Sequence, residues 1–437
     1  MCRMSRPETP LRLFVGASVI HITAKGRLRA DTVVMPARIT SLLGSLVFVA
    51  SASTGVLAAE DHAPEAAPDP RGDPTADRTA PPQPTDLAVP ASAWRTDFTV
   101  ADVPLAEIQP SVPRDAIPTI DDPAFESVSD AHTWMDGRAP VIALEIDDDA
   151  RAYPLSILLW HEIVNDVVGG RPVLVTFCPL CHTALVYDRV LDGTEREFGN
   201  TGSLRYSDMV MYDRATESWW QQATGHAIIG ELTGAALEFL PAQVLSLDAF
   251  EAAYPDGIVL SRDTGHQRPY GDNPFLGYGN ADQPPFRFDG AIDGRLTPKE
   301  RVITVGGPDT EAVAFSYFDL ARAGTATETF EGEPIVILWE PGTADSFAAP
   351  VIGQGDDIGS AGVFSPVLDG RPLTFIRADD GTLADRETGS TWSVTGLAIE
   401  GPLAGQQLDR VLHGDHFWFS WAAFTPDTRV WQPPPVE

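Results

Sequence analysis

Apolar runs broken by turn residues dominate the chain from about residue 139 onward and predict a β-rich fold. Gly169-Gly170 lies between Val167-Val168 and the apolar run 171–177, a pattern typical of a hairpin with a two-residue turn. Further strands are predicted at 183–187, 209–212 and 227–232. The fold class is therefore mainly β, a β-rich α+β arrangement with a few short helices.

Two short segments have helical spacing instead. Residues 153–160 place Leu155, Leu158 and Leu159 on one face after a proline in the first turn. Residues 247–254 form the second predicted helix, in which Asp248 and Glu251 have the spacing of a capping box.

The most informative pattern is an internal duplication. Matches occur in the same order along both halves, with few gaps, and they predict two tandem pseudo-symmetric repeats. The predicted segments are a lead-in at 96–138, repeat one at 139–260, an inter-repeat loop at 261–300 and repeat two at 301–437. The matching pairs are Pro140-Val-Ile-Ala-Leu with Val302-Ile-Thr-Val-Gly, Gly170-Arg-Pro-Val with Gly332-Glu-Pro-Ile, Asp213-Arg-Ala-Thr with Asp385-Arg-Glu-Thr, Gly225-His-Ala-Ile-Ile-Gly with Gly396-Leu-Ala-Ile-Glu-Gly, and Phe250-Glu-Ala-Ala-Tyr-Pro-Asp with Trp421-Ala-Ala-Phe-Thr-Pro-Asp.

The N-terminal region has the pattern of a targeting segment. Residues 1–59 are predicted to be an extension and signal peptide, with Arg38 before a short apolar run and small residues at the end. Met35 directly precedes this pattern and is a candidate true start. Residues 60–95 are rich in Pro, Ala and Asp and predict a disordered acidic linker. We expect an extracytoplasmic protein, secreted, periplasmic or at the cell surface; the alternative is an uncleaved N-terminal anchor.

The charge narrows the possible partners. Lys and Arg number 30 against 62 Asp and Glu, which gives a net charge of −32. So acidic a surface repels nucleic acid and anionic lipid, and it predicts no nucleic-acid partner. No segment after the leader has the length of a transmembrane span. Many carboxylates with only two lysines, Lys25 and Lys299, are typical of a halophilic protein, although acidic drift gives the same composition.

The chemistry centres on one CxxC, Cys178-Pro-Leu-Cys181, at the end of a predicted strand. Two cysteines at this spacing form a disulfide or hold one soft metal ion. A disulfide across so short a loop removes little chain entropy, so it is a weak structural staple. Repeat two has Glu340 and Thr343 at the corresponding positions, so the fold does not require the thiols.

The histidines of repeat one are the candidates for further metal ligands beside the two cysteines. His226 is favoured because repeat two has Leu397 there, and His161 precedes the hairpin that leads to the cysteines. His182 follows Cys181 and completes a C-x-x-C-H pattern, which also fits c-type haem attachment. For each histidine a structural role is the competing interpretation.

Other polar clusters carry weaker signals. Asp208 lies in Ser207-Asp-Met-Val-Met-Tyr-Asp-Arg, but the end of this segment recurs as Asp385-Arg386, which favours a structural turn. Met209 and Met211 alternate along a strand, so at most one can face a given site. No P-loop, Rossmann fingerprint, nucleophile elbow or H-E-x-x-H motif occurs.

Five segments resemble one protein family. They are Ala152-Tyr-Pro-Leu, Trp160-His-Glu-Ile-Val-Asn-Asp, Val175-Thr-Phe-Cys-Pro-Leu-Cys, Ser207-Asp-Met-Val-Met-Tyr-Asp-Arg and Arg268-Pro-Tyr-Gly-Asp-Asn-Pro-Phe. The chain is similar to the exported family known as domain of unknown function 3179. The resemblance implies export and a central CPLC motif, and it implies that the position after the second cysteine varies, which weakens the haem hypothesis. It implies no established activity.

We therefore expect an exported metal-binding or thiol-redox protein centred on Cys178 and Cys181, with His226, His161 and His182 as candidate ligands. Copper is the preferred ion, because soft thiolates select Cu(I). The alternative, from another class, is a non-catalytic binding or scaffold module with a structural disulfide; c-type haem attachment is a lesser alternative.

Overall fold

A computed structural model of the chain describes residues 87–434 and the backbone of three N-terminal strands. These strands form an antiparallel sheet of their own: β1 Arg12–Val15, β2 Ser18–Ile22 and β3 Leu28–Asp31. The predicted signal segment at 36–59 and most of the predicted linker lie outside the described residues.

The end of the predicted linker is folded. Leu87, Val89 and Trp94 are buried in a small core with strands from the first half of the chain. The linker boundary at residue 95 is therefore too late, because these apolar side chains are covered on packing. The elements between 87 and 138 are two 3₁₀ helices, Ala91–Ala93 and Leu105–Glu107, the strands β4 Gln109–Pro110 and β5 Phe125–Ser127, and the helix α1 Val128–Ala131.

The first half runs from residue 140 to residue 260 and alternates long strands with two short helices. Its elements are β6 Pro140–Ile146, β7 Asp149–Pro154, α2 Leu155–His161, β8 Ile163–Val168, β9 Arg171–Cys178, β10 Thr183–Asp188, β11 Val190–Leu191, β12 Thr194–Glu195, β13 Phe198–Arg205, β14 Asp208–Asp213, β15 Trp219–Gln221, β16 Ala227–Ile229, β17 Phe239–Leu240, β18 Ala242–Ser246, α3 Leu247–Ala253 and β19 Ile258–Leu260.

The second half begins at residue 301, after a segment without strands or helices. Its elements are β20 Arg301–Gly306, β21 Ala312–Ser316, α4 Tyr317–Ala323, β22 Thr325–Phe330, β23 Glu333–Glu340, β24 Ser360–Phe364, β25 Val367–Leu368, β26 Arg371–Pro372, β27 Phe375–Arg377, β28 Leu383–Asp385, β29 Thr391–Trp392, β30 Ala398–Glu400, β31 His413–Phe417, α5 Trp418–Phe424 and β32 Arg429–Val430.

The two halves share one pairing scheme. Strands β18, β6, β7 and β19 are neighbours in the first half, and β31, β20, β21 and β32 are neighbours in the same sense in the second. In both sets the last pair is parallel and the others are antiparallel. Likewise, β8–β9–β10 corresponds to β22–β23–β24, and β13–β14–β15–β16 to β27–β28–β29–β30. The expectation that the halves superpose as copies of one unit stays a prediction, which a superposition tests.

One eight-stranded sheet joins the halves. Its path is β32-β21-β20-β31-β10-β9-β8, and β17 pairs with β10 off this path. The junction is the antiparallel contact of β10 with β31, where Ala184 lies opposite Asp415. The largest apolar core collects residues of the first half together with Phe347, Ile352, Phe417 and Phe419 of the second.

The predicted fold class is confirmed: the structure is β-rich, and the five α-helices of the described residues are short. The predicted hairpin is present, with Gly169 and Gly170 at positive φ between β8 and β9. The capping box at 248 and 251 is wrong, because the hydroxyl of Ser246 caps α3 by accepting the Ala249 N–H instead. No helix in the described part of the chain is long and apolar enough to cross a membrane.

Candidate functional site

The two cysteines lie at the tight connection between β9 and β10. Cys178 is the last residue of β9, and the Cys181 N–H donates a hydrogen bond to the Cys178 carbonyl over 3.2 Å. Both side chains are buried, and both thiols are free. The Cys178 thiol lies 3.8 Å from the Ser207 carbonyl oxygen, its hydrogen-bond acceptor. The strand pairing therefore holds two sulfurs, not bonded to each other, side by side in the core.

Asp208 is the third member of the group. It is the first residue of β14, and a carboxylate oxygen lies within 4.8 Å of both sulfurs. Its Oδ2 atom accepts hydrogen bonds from Gln221 Nε2 at 2.5 Å and from the Ala223 N–H at 2.9 Å. Its Oδ1 atom is buried and has no hydrogen-bond partner among the described residues. Buried polar atoms are rarely left unpaired, and the thiols of Cys178 and Cys181 lie near enough to pair with this carboxyl, since they help to lower its pKa.

Glu162 brings a second buried carboxyl close to the cluster. It follows α2 with φ +59°, in the left-handed region, where the corresponding residue after α4 is Gly324 with φ +75°. A side chain costs about 1 kcal/mol in this conformation. The Glu162 carbonyl accepts the N–H of Phe177, next to Cys178, and its Oε2 atom accepts from Asn200 Nδ2 at 2.7 Å. A charged residue at a position where glycine fits better points to function.

Backbone strain recurs at two other corners of the site. Ser207, before Asp208, has φ +72°, and His182, after Cys181, has φ +51°. Non-glycine residues in this region are uncommon, and such residues concentrate at functional sites. Three connections that precede or follow the acidic groups are therefore held in unfavourable backbone conformations.

All four acidic groups have raised pKa values. Burial raises the pKa of Asp208 to about 7, against hydrogen bonds from Gln221 and Ala223 that lower it. Burial, with the nearby Asp208 charge, raises the pKa of Glu162 to about 8. Burial also raises the pKa of both thiols, and the two carboxyls add to this effect at Cys178. No basic residue is among the main causes of either carboxyl pKa, so no neighbouring positive charge offsets the burial that raises them.

The segment between the halves covers the cluster. The Tyr278 hydroxyl donates to the Leu180 carbonyl inside the CxxC over 2.9 Å, and the Ser207 hydroxyl donates to the Phe286 carbonyl. Lys299 donates from Nζ to the Tyr278 carbonyl at 2.6 Å and lies 3.9 Å from the centre of the Tyr278 ring. The site is therefore closed from this side by residues of 278–299.

His161 is buried away from the sulfur group. Its Nδ1 atom lies 2.6 Å from the Pro118 carbonyl, and its Nε2 atom lies 2.5 Å from the Tyr270 hydroxyl. Burial lowers its pKa to about 4. Both ring nitrogens thus already have partners other than the cysteines.

His182 faces the second half. Its Nε2 atom lies 2.9 Å from the Arg301 guanidinium, and its ring packs among Phe177, Phe347 and Phe417. Burial, with the nearby Arg301 charge, lowers its pKa well below the usual value. This packing gives the haem-attachment hypothesis no support, because the imidazole is engaged with Arg301 instead of an open axial position.

His226 lies at the surface of a separate cavity. It is half-buried, and its Nε2 atom lies 3.6 Å from a carboxylate oxygen of Asp309. The structure thus brings Cys178 and Cys181 together and gives each of the three candidate histidines other neighbours. Among the described residues, the two sulfurs form a metal-compatible group with Asp208.

Asp208 and Glu162 are the site residues that sequence reasoning missed as ligands. The recurrence of the end of the Asp208 segment in the second half points to a structural turn and conceals its place beside the thiols. The sequence does contain a signal for Glu162: the matching position in the second half is a glycine, Gly324, whereas the first half has a carboxyl side chain there. The side chain of Met209 adds a thioether nearby, 3.3 Å from Asn200 Nδ2.

A second metal-compatible group lies at the surface. His132 Nε2 is 3.0 Å from a Glu251 carboxylate oxygen and 3.9 Å from one of Asp248. Both acids are exposed. Exposed acidic groups of this kind are common without an ion, so this group serves below as a control and not as a site.

Comparison with known proteins gives one match. The chain matches no curated protein and no solved structure. A sequence model of the family described as protein of unknown function (DUF3179) matches residues 114–428, a range that contains the CxxC, both buried carboxyls and both halves of the fold. The chain belongs to this family of proteins of unknown function, DUF3179.

Proposed function

We propose that this protein binds one metal ion through Cys178, Cys181 and Asp208, with Glu162 as a further charged partner. The observation that carries the proposal is the buried grouping of the Asp208 carboxyl with two free thiols, whose ligand atoms all lie within 4.8 Å of one another. Thiolates and carboxylates must lose their protons to bind a metal, and the ion in turn offsets the burial of their charge.

The donor set bears on the identity of the ion. The preference for copper rests on the sulfurs alone, and Cu(I) takes two or three soft ligands. A carboxylate oxygen beside two thiolates is a harder set, and Zn²⁺ accepts sulfur and oxygen ligands together. We therefore propose Zn²⁺ first and copper second. Three protein ligands leave the fourth position of a tetrahedral Zn²⁺ ion to the Glu162 carboxylate or to a small ligand.

Thiol redox chemistry is the second candidate. It is favoured by the Asp208 carboxyl, whose pKa of about 7 suits a proton acceptor for a neighbouring thiol. Formation of a Cys178–Cys181 disulfide would release two protons and two electrons to a small disulfide or quinone oxidant. The raised thiol pKa values oppose this chemistry, since the thiolate is the reactive form.

The test is a titration of the metal-free full chain with Zn²⁺ and, under reducing conditions, with Cu⁺. The double variant Cys178→Ser/Cys181→Ser should lose tight binding of one ion, and Asp208→Asn should weaken it at least tenfold. His132→Ala is the matched control for the surface group and should retain full affinity. Unchanged affinity in the double variant would end the metal proposal.

Two further outcomes separate the alternatives. His226→Leu gives the first half the leucine that the second half has at the matching position. If this variant keeps full affinity, His226 is not a ligand of the bound ion. If neither ion binds while a small disulfide oxidises the two cysteines reversibly, the redox function replaces the metal function. A large fall in melting temperature without either activity would instead support a structural role.

Export also belongs to the proposal. It rests on the pattern at 36–59, which lies outside the described residues. The processed protein should begin near Glu60, and mass spectrometry of the protein from its native host tests this. An intact Met35 on protein from the cytoplasmic fraction would contradict it.

A further inference from the structure

A cavity of about 470 Å³ lies where the two halves meet, apart from the thiol site. It is lined by residues of both halves, and Cys178, Cys181, Asp208 and Glu162 are not among them. Its volume falls in the range of sites for small organic molecules.

The interior of the cavity is mainly apolar. Leu237, Phe239 and Phe330 line it together with Trp421. The Trp421 and His416 rings are tilted by 43° with ring centres 4.9 Å apart, and the Trp421 Nε1 atom donates to Thr428 Oγ1 at 2.7 Å. The N–H group of the Trp421 indole is therefore already hydrogen-bonded, and the indole contributes apolar ring surface to the cavity. Such a wall suits a flat or aliphatic body of a ligand.

The charges of the lining all favour one kind of ligand. Among the described residues no lysine or arginine lines the cavity, whereas Asp309 and Glu331 do, and both are exposed. His413 and His416 also line it, but burial lowers the pKa of His413 to about 4 and of His416 to about 3, so both are neutral at pH 7. His226 also lines the cavity, with its Nε2 atom 3.6 Å from a carboxylate oxygen of Asp309. An anion would find no lysine or arginine here, while an amine at the rim would meet the carboxylates of Asp309 and Glu331.

We propose that this cavity is a binding site for a small molecule with an apolar body and a protonated amine. The body fills the space beside Trp421, and the amine lies at the rim near Asp309. This assignment is independent of the metal proposal, because it uses none of the thiol-site residues.

Three matched probes test it: 2-phenylethylamine, the neutral 2-phenylethanol and the anionic 3-phenylpropionate, titrated into the full chain by calorimetry and ligand-observed NMR. The amine should bind most tightly. Asp309→Asn should reduce its advantage over the alcohol by about two- to fivefold, as expected for an exposed ion pair. Asp256→Asn changes the net charge equally at an exposed turn away from the cavity and should have no effect.

A second variant tests the location. Ala236 lines the cavity and is exposed, so Ala236→Trp should fill part of the space, keep the fold, and weaken the amine and the alcohol alike. The proposal is overturned if the anion binds as tightly as the amine, if Asp309→Asn leaves the preference unchanged, if Ala236→Trp leaves binding unchanged, or if the amine shows no binding at millimolar concentration.

Discussion

Replacing Asp208 by asparagine should stabilise the metal-free protein at alkaline pH. The asparagine side chain would keep the size of the original and an oxygen that accepts from Gln221 and Ala223. It would remove a charge that is fully buried among acidic groups. If Asp208 were kept for stability alone, its replacement would destabilise the protein, because a buried hydrogen-bonding group would lose its partner.

The magnitude follows from the pKa of Asp208. It is about 7 in the folded protein against an ordinary value of 3.8, so the folded state holds a proton that the unfolded chain releases. Stability from this group is fully present below pH 3.8 and is lost as the pH rises to about 7. At about 1.4 kcal/mol per pH unit, the loss between pH 5 and pH 8.5 is about 3 kcal/mol. The variant lacks this loss, so its free energy of unfolding should gain about 3 kcal/mol relative to wild type over that interval.

The measurement is urea unfolding of both proteins at pH 5 and pH 8.5, with a chelator and a thiol reductant present. Asp380→Asn is the matched control, because Asp380 precedes Asp385 as Asp208 precedes Asp213 but is exposed. The control should show no such gain. If wild type and Asp208→Asn differ by the same free energy at both pH values, the carboxyl is not held protonated by burial and the reasoning fails.

Three further predictions concern the same site. Metal binding at pH 7 should release between two and four protons, because the free thiols and carboxyls hold them; calorimetry in two buffers of different ionisation enthalpy measures this, and release of fewer than one would contradict it. Glu162→Gly should stabilise the metal-free protein at pH 9, by about 1 kcal/mol from backbone relief alone, and weaken the metal; denaturation and titration check both, and lower stability at pH 9 would count against a functional carboxyl. Lys299→Met should free the Tyr278 segment and speed thiol labelling by a small disulfide reagent several-fold without changing metal affinity; equal labelling rates would show that the segment does not limit access.

The strands and the position of the thiols were predictable because they depend on local pattern. The Gly169-Gly170 turn fixes the register of β8 and β9, and β9 in turn carries Cys178 into the core. The order of elements in the second half follows the matched segments, since the same apolar pattern forms the same strands.

The carboxyl partners could not be found in this way. Glu162, Cys178 and Asp208 come from the ends of three different elements, and no spacing in the sequence reports that these ends meet. The surroundings of the candidate histidines could not be predicted for a related reason: residue type indicates what a side chain can bind, while its direction depends on packing. His182 turns to Arg301, a residue of the other half.

The contact of β10 with β31 has a consequence for the history of the chain. If the halves were separated, β31 would lose its β10 neighbour and β10 would lose its partner at Ala184, although β10 would still pair with β9 and β17 and β31 with β20. Open strand edges of this kind invite aggregation. The carbonyl of Cys181 would also lose the Phe417 N–H, which it now accepts over 2.7 Å. Selection should therefore act on the two halves as one inherited unit. The half without thiols is kept because the other half needs it as a partner, and selection should remove variants in which recombination has moved either half alone.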